Sequence, residues 1–364
     1  MVEVGRVAAL LGGTALVVYV LLAAVRTTVV PRSEVVLLTR WVFRAVRAVF
    51  VLWVRRAKDF VELDRRMAPY APIGLIVLPG TWVALVIAGF TAINWGLHVD
   101  PLRQSFILSA DSVTTLGSIA APDLPTTIAS IIEATLGLGL IALLISYLPS
   151  IYSAFQRREL GVARLATRAG DPPSALVMIK RHHMLDRLDA LDDMWDDFET
   201  WFSDIEETHS SQPSLVFFRS IGHERSWITA AGVVLDTAAL RASTLDMPRE
   251  PRAELCLRAG YLSLRRIAAY FSIPHDNSPL PTDPISIDRS EFDAAYDELV
   301  AAGVPVKADR DQCWRDFAGW RVNYDTVLIT LAGLAVAPYA QWSSDRSIPF
   351  LAPLLSHQLL RRRH

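Results

Sequence analysis

Two long stretches of the chain, residues 71–97 and residues 134–156, contain no charged side chain. A third such stretch, residues 7–25, lies near the start of the sequence. A run of about 20 apolar residues crosses a hydrocarbon layer as a helix, because a helix satisfies its backbone hydrogen bonds within one segment. The three stretches therefore predict transmembrane helices and an all-α membrane protein.

Composition divides the chain into four predicted parts. Residues 1–30 hold the first transmembrane helix, residues 31–70 a basic amphipathic helix and linker, and residues 71–156 the other two transmembrane helices. Residues 157–364 have mixed charge and helical patterning, and at this length they can bury a core of their own. We expect them to form an all-α cytosolic domain.

The segment between the last two transmembrane stretches is too short for a domain and too apolar for an ordinary exterior loop. We expect residues 102–110 to form a short helix that enters the membrane and returns through residues 114–118, Thr-Thr-Leu-Gly-Ser. Irregular backbone at membrane depth is tolerated where protein buries it or water fills a cavity beside it. Hydroxyl groups and a glycine suit such a place, because they can present oxygen atoms to a dehydrated ion. The pattern predicts a re-entrant pore loop.

This turn resembles the filter of the pore-loop, two-transmembrane potassium channel family, which reads Thr-Val-Gly-Tyr-Gly and often has a second threonine before it. The matching positions, from the first threonine to the tyrosine, are Thr114, Thr115, Leu116, Gly117 and Ser118. The resemblance covers roughly residues 71–156, and residues 125–127, Pro-Thr-Thr, are similar to the turn before the family's inner helix. It implies a homotetramer that encloses a permeant monovalent cation, with no other cofactor.

Two positions after the turn depart from the family's pattern. Ile119 stands where the family has its second glycine, and Ala120 stands where an acidic residue is usual. A β-branched residue resists the left-handed backbone that glycine supplies, and the carbonyl rings of a selective filter depend on that backbone. We therefore expect weak discrimination between potassium and sodium. Two alternatives are a hairpin that no longer conducts, and a receptor or scaffold whose cytosolic domain binds a protein partner.

Several functions lack their sequence signals. Glycine-rich nucleotide-binding motifs, the zinc-protease motif and the serine-hydrolase elbow are missing, so we expect no enzyme. The net charge of −2 provides no overall field for nucleic acid. Cys256 and Cys313 lie far apart and predict reduced core residues. Two groups come nearest to a metal site. His182 and His183 diverge on a helix, and Glu206 with His209 supplies only two ligands, so we expect no bound metal.

Basic residues predict the orientation of the chain in the membrane. Residues 26–66 contain ten basic and four acidic residues, whereas residues 98–123 contain Arg103 as their only arginine or lysine. Basic loops remain in the cytoplasm, so the 26–66 connection and the C-terminal domain are predicted to be cytoplasmic and the pore loop external. Arginine far outnumbers lysine, which suggests a GC-rich bacterial genome and a multi-pass protein of a bacterial inner membrane.

Residues 34–56 have helical periodicity, with Arg40, Arg44 and Arg47 on one face. Arginines at the centre of a bilayer are costly, so we expect this helix to lie on the cytoplasmic leaflet among the phosphates of membrane lipids. The alternative is a voltage-sensor-like helix that spans the membrane over residues 35–54. That alternative would move the N-terminus to the cytoplasm.

The inner helix that follows the loop carries three residues of interest. Glu133 is the one ionisable residue near membrane depth, and such residues usually face a partner or water and mark function. The alternative places Glu133 among headgroups at the outer interface. Gly137 and Gly139 are expected either to form a hinge or to allow close helix packing.

The C-terminal domain is predicted to begin with one long helix after Ser174. Its apolar seam consists of Leu188, Leu191, Trp195, Phe198, Phe202 and Ile205. Its opposite face, between residues 186 and 207, is strongly acidic, and such a run is usually a free, solvated face. The functional alternatives are weak binding of divalent ions and docking on the basic 40–66 connection in competition with lipid, and of these we predict docking. Later helices are predicted at residues 226–244, 250–271, 289–302, 311–319 and 324–338.

Turn signals and short motifs complete the C-terminal domain. Asp288 with Glu291 predicts a capping box, and Gly303 predicts a helix end. Three sequence pieces, residues 217–220, 314–325 and 342–347, resemble less specifically a domain found beside such pore loops in actinobacterial channel-like proteins. That resemblance implies no activity.

Overall fold

The protein is represented by a computed structural model that describes residues 2–29 and 36–347. It is 74% helical, and the described residues contain no β-strand, which confirms the all-α prediction. The helices are α1 Val2–Thr28, α2 Leu37–Val54, α3 Phe60–Met67, α4 Tyr70–Gly96, α5 Leu102–Val113, α6 Leu124–Ala169, α7 Ala175–Met184, α8 Trp195–Ser211, α9 Trp227–Ser243, α10 Pro251–Tyr270, α11 Arg289–Ala301, α12 Arg310–Arg321 and α13 Asp325–Ala335.

Three helical stretches are long and apolar enough to cross a membrane, as the sequence predicts. They are Val2–Thr28, Phe60–Gly96 and Leu124–Ala169. The first residues of the predicted 34–56 helix and of its spanning alternative lie outside the described residues. Helix α2, which carries three arginines, is not among the candidate spans in the described part of the chain.

The chain divides into two compact units. The first unit comprises Met1–Val49 and Tyr70–Tyr152, and the second comprises Phe50–Pro69 and Ser153–His364. The sequence predicted a separate linker over residues 31–70, whereas residues 50–69 of it belong with the second unit. Helix α6 begins in the first unit and ends in the second, which places 17 residues of one continuous helix beyond Tyr152.

In the first unit, α1 and α4 pack closely through glycines. A Cβ atom added to Gly89 would lie 2.6 Å from Cγ2 of Val17, and one added to Gly96 would lie 2.9 Å from the carbonyl oxygen of Arg6. Only small residues permit backbones to approach this closely, as is usual between membrane helices. Because the start of α1 lies against the end of α4, the two helices run antiparallel.

An ion pair fixes the direction of these two helices. Arg6 contacts Asp100 at 2.5 Å and donates a hydrogen bond to the carbonyl oxygen of Trp95 at 3.4 Å. The start of α1 and the connection after α4 therefore share one end of the first unit. The end of α1 and the start of α4 therefore share the opposite end of the first unit. For two helices that both span a membrane in this antiparallel order, a single crossing by α2, the voltage-sensor-like alternative, is incompatible with the arrangement.

The second unit has its core around α9, which is buried on nearly every side. Apart from a few buried polar residues such as Asp236 and Arg241, its side chains are apolar or small on every face, as is usual at the centre of a bundle. Helices α7, α10, α12 and α13 pack against it. The helices predicted from residue 226 onward are confirmed as α9 to α13. The capping box of Asp288 and Glu291 is present, and Gly303 has the left-handed φ of +76° expected after a helix end.

The single long helix predicted after Ser174 is wrong. Helix α7 ends at Met184, Asp186 adopts a left-handed φ of +53°, and a 3₁₀-helix over Leu188–Met194 precedes α8. A left-handed residue cannot continue an α-helix, so the chain changes direction there. The apolar seam is nevertheless buried from Leu191 onward, because these side chains enter the same core.

The predicted docking of the acidic 186–207 face on the basic 40–66 connection is also wrong for five of its acidic residues. These acids pair with arginines elsewhere in the second unit: Asp192 with Arg241, Asp196 with Arg252, Asp197 with Arg164, Asp204 with Arg157 and Glu206 with Arg266. Residues 50–69 do form an ion pair with the rest of the second unit, but the charges are reversed. The acidic partner is Asp64 of α3, on the connection, and the basic partner is Arg219.

Candidate pore loop

The segment between α4 and α6 consists of a short helix followed by an exposed turn. Helix α5 ends at Val113, and Thr114 continues its last turn with φ −84° and a hydroxyl bond to the carbonyl oxygen of Ala110 at 2.7 Å. After the turn, Asp123 accepts the N–H of Thr126 at 2.9 Å and so starts α6. The predicted residues 114–118 therefore form a loop between two fixed helix ends.

Two residues of the loop have left-handed backbone. Thr115 has φ +54° and Gly117 has φ +67°, and the residues next to them do not. From the resemblance, a left-handed backbone is expected at position 119, where Ile119 would resist it. The structure instead has left-handed backbone at Thr115 and Gly117. A β-branched residue held in this conformation stores roughly 1–3 kcal/mol of strain, so surrounding contacts must maintain it.

Asp111 provides those contacts. Its carboxylate accepts the backbone N–H of Ser118 at 3.0 Å, the hydroxyl of Ser118, and the N–H of Ile119 at 3.4 Å. The N–H of Gly117 also interacts with this carboxylate, and the N–H of Leu116 bonds to the carbonyl oxygen of Asp111 at 3.0 Å. Successive loop N–H groups thus converge on one residue of α5, as they do in anion-binding nests.

The direction of the loop N–H groups fixes the direction of its carbonyl oxygens. In a planar trans peptide the N–H of one residue and the C=O of the residue before it point in opposite directions. The carbonyl oxygens of residues 115–118 therefore point away from Asp111. Within the described part of the chain, no hydrogen bond reaches these four oxygens. The loop is exposed here, with 72% of Leu116 accessible.

Glu133 is buried and holds α6 against α5. Its side chain has no exposed surface, so it does not lie among headgroups as the alternative supposed. The hydroxyl of Ser109 contacts Oε1 of Glu133 and also the carbonyl oxygen of Ile87 at 3.0 Å, which links α4, α5 and α6. Among the described residues, Oε2 of Glu133 has no hydrogen-bond partner.

The two glycines of α6 have different surroundings. A Cβ atom added to Gly137 would lie 2.5 Å from the carbonyl oxygen of Val113 and 2.9 Å from its Cγ2. One added to Gly139 would meet nothing within 4 Å. Gly137 therefore serves close packing against the end of α5, directly before the loop, and Gly139 faces open space.

The sequence prediction missed Asp111 and Ser109. Asp111 is the only acidic residue between Asp100 and Asp123, and it lies three residues before the first loop threonine. A lone carboxylate in so apolar a segment signals a specific partner. Ser109 gives no such signal, because its role depends on the position of Glu133 in another helix.

Metal ligands are not concentrated in the described part of the second unit. In the described ranges, no three histidine, cysteine or acidic side chains lie together in a way that could hold an ion. Cys256 and Cys313 are buried and free, and burial raises the pKa of the Cys256 thiol well above its ordinary value.

Comparison with known proteins yields no relative. No protein family model, no curated protein and no solved structure matches the chain. The resemblance to pore-loop potassium channels therefore rests on the sequence motifs within residues 71–156.

Proposed function

We propose that the protein is a cation channel in which the loops of four copies surround a central axis. The observation that supports this most directly is the row of unbonded carbonyl oxygens at residues 115–118, which all point away from Asp111. Carbonyl oxygens without partners can replace the hydration shell of a monovalent cation. One loop cannot enclose an ion, so the proposal requires an oligomer.

The role of Asp111 in this proposal is to position the loop. Without this carboxylate, the backbone N–H groups of the loop would be free to point into the ion pathway, where they would repel a cation. Asp111 binds them on the protein side, and its contacts with Ser118 also maintain the left-handed backbone of Thr115 and Gly117. Asp111 does not contact the ion itself.

We expect the channel to discriminate weakly between potassium and sodium. The left-handed positions end at Gly117, and Ile119 does not continue the alternation. The row of aligned carbonyl oxygens is therefore shorter than a filter with a second glycine would provide, and an ion in it keeps more of its water.

Membrane lipids are the proposed partners of α2. Its inward positions Val42, Val46, Phe50 and Val54 are buried and recur every four residues. On its other side Arg40 and Arg44 are exposed, and the Arg44 guanidinium lies 5.8 Å from the ring centre of Trp41, which is also exposed. A face of arginine and tryptophan fits the anionic headgroup region of a cytoplasmic leaflet.

Flux through reconstituted vesicles tests the proposed channel. The full-length protein should carry both potassium and sodium, and Gly117→Val should abolish flux while the oligomer persists, because valine resists φ +67°. Gly139→Ala is the matched control, since a Cβ there meets open space. A correctly assembled protein that carries neither cation would contradict the proposal and favour the receptor or scaffold alternative.

A further inference from the structure

A short segment of the second unit, residues 213–219, receives hydrogen bonds from α6. It consists of a 3₁₀-helix, Pro213–Phe217, and the two residues after it. Arg158 of α6 donates to the carbonyl oxygen of Leu215 at 2.7 Å and to that of Phe218 at 2.9 Å. The Arg158 side chain has no exposed surface, and its guanidinium lies 5.1 Å from the ring centre of Phe155. Arg158 is therefore enclosed by protein.

The last residue of the same segment holds α3. Arg219 pairs with Asp64 at 2.5 Å, and both side chains are largely buried, with 10% and 14% of their surfaces exposed. Arg219 also donates to the carbonyl oxygens of Ala335 and Val336, each at 3.1 Å, at the end of α13. A cation at a helix C-terminus is favourable, so Arg219 is held there independently of Asp64.

The two partners of the 213–219 segment lie next to the chain passages between the two units. Asp64 precedes the passage at Pro69–Tyr70, where the chain enters α4. Arg158 follows the passage at Tyr152–Ser153, where α6 leaves the first unit. One segment of seven residues therefore contacts the chain beside both helices that flank the proposed pore loop.

We propose that the 213–219 segment couples the second unit to the pore, so that a displacement of the helices around it moves the approaches to α4 and α6 together. This inference rests on the proposed channel function for its consequence, although not for the mechanical link. Burial makes the link discrete at both ends. Asp64 without Arg219 would be a largely buried charge without its partner. The carbonyl oxygens of Leu215 and Phe218 would lose the donors of Arg158, whose own ion partner Glu159 stays with it on α6. The segment therefore moves with Arg158 and Asp64 or separates from one of them completely.

Amide hydrogen exchange on the full-length protein in vesicles tests the mechanical link. Asp64→Asn removes the charge that faces Arg219 and keeps the side-chain shape. We expect about tenfold faster exchange in residues 213–219 and also in residues 153–160, which Asp64 does not contact. Faster exchange confined to residues 60–67 would overturn the proposal. Glu62→Gln is the matched control in α3, since Glu62 pairs with Arg66 and not with the segment.

A second variant guards against a general loss of structure. Arg158→Lys keeps the charge and loses the forked contacts to Leu215 and Phe218. It should speed exchange in residues 60–67 at the far end of the link. Arg164→Gln on the same helix α6, which breaks an exposed pair with Asp197 of α8, should not. Equal effects of Arg158→Lys and Arg164→Gln on residues 60–67 would overturn the proposal.

Flux measurements then separate the two proposals. If the wild-type protein conducts, Asp64→Asn and Arg158→Lys should each change flux. The change in the double variant should differ from the sum of the two single changes, because the effects of distant substitutions add unless a structure couples the two sites. Additive effects would overturn the coupling while leaving the channel intact. If the wild-type protein does not conduct, the channel proposal fails, and the exchange results alone decide whether the link exists.

Discussion

Gly137→Ala is the substitution whose effect follows most directly from the geometry beside the loop. The added methyl group would meet the carbonyl oxygen of Val113 at 2.5 Å and its Cγ2 at 2.9 Å, both well inside ordinary contact distance. Backbone must therefore move, and Val113 is the residue immediately before Thr114. We expect α6 and the end of α5 to separate slightly and the loop to shift with them.

The size of the effect can be estimated against Gly139→Ala. Replacing a helical glycine by alanine favours the helix by about 1 kcal/mol, and this gain is common to both variants. Overpacking against a fixed backbone costs about 1–3 kcal/mol, and it applies only at Gly137, because the other site is open. The stability of Gly137→Ala should therefore lie about 1–3 kcal/mol below that of Gly139→Ala.

Thermal unfolding of the purified full-length protein measures this difference, and vesicle flux measures its consequence. Gly139→Ala should unfold at or above the wild-type temperature and conduct normally. Gly137→Ala should unfold several degrees lower than Gly139→Ala and lose most of its flux. Equal unfolding temperatures for the two variants would refute the packing role of Gly137, and a larger effect at Gly139 would favour a hinge there.

Three further predictions concern single side chains. Ser109→Ala should lower the free energy of unfolding by about 1–3 kcal/mol in thermal unfolding, because it leaves Glu133 buried without its hydrogen-bond partner. Ser112→Ala loses only a hydrogen bond within its own helix and should lower the free energy of unfolding by less. Asp111→Asn should speed amide exchange of the loop by about tenfold or more and reduce flux, and wild-type exchange in this variant would contradict its positioning role. Burial, and then the charge of Arg158, lower the pKa of His209 well below its ordinary value of 6.5. His209 is therefore neutral in the folded protein, whereas in the unfolded chain it binds a proton below about pH 6.5. Stability should therefore fall as pH drops below about 6.5, by at most about 1.4 kcal/mol per pH unit, and His209→Gln should flatten that part of the profile.

The apolar helices were predictable because their signal is local. A stretch without charge, such as residues 134–156, has one stable structure in a membrane, whatever the rest of the chain does. The loop between α5 and α6 was predictable as a loop, since hydroxyls and Gly117 interrupt the helical pattern. Its conformation was not predictable, because it depends on Asp111 reaching forward to Ser118 across a turn.

The errors in the second unit have a similar cause. Leu188 and Leu191 keep helical spacing with Trp195, so the pattern gives no sign that the chain turns at Asp186. The acidic residues around them suggested a free face, and spacing within one helix does not reveal that arginines of other helices already neutralise many of them. Partners that are distant in sequence decide both features.

Particle imaging of the full-length protein in a potassium salt tests whether four loops form a pore. Four copies should have their 114–118 loops around a common axis, with the carbonyl oxygens of residues 115–118 facing the axis and each Asp111 on the side away from it. A monomeric or dimeric particle, or loops whose N–H groups face the axis, would refute the proposed channel.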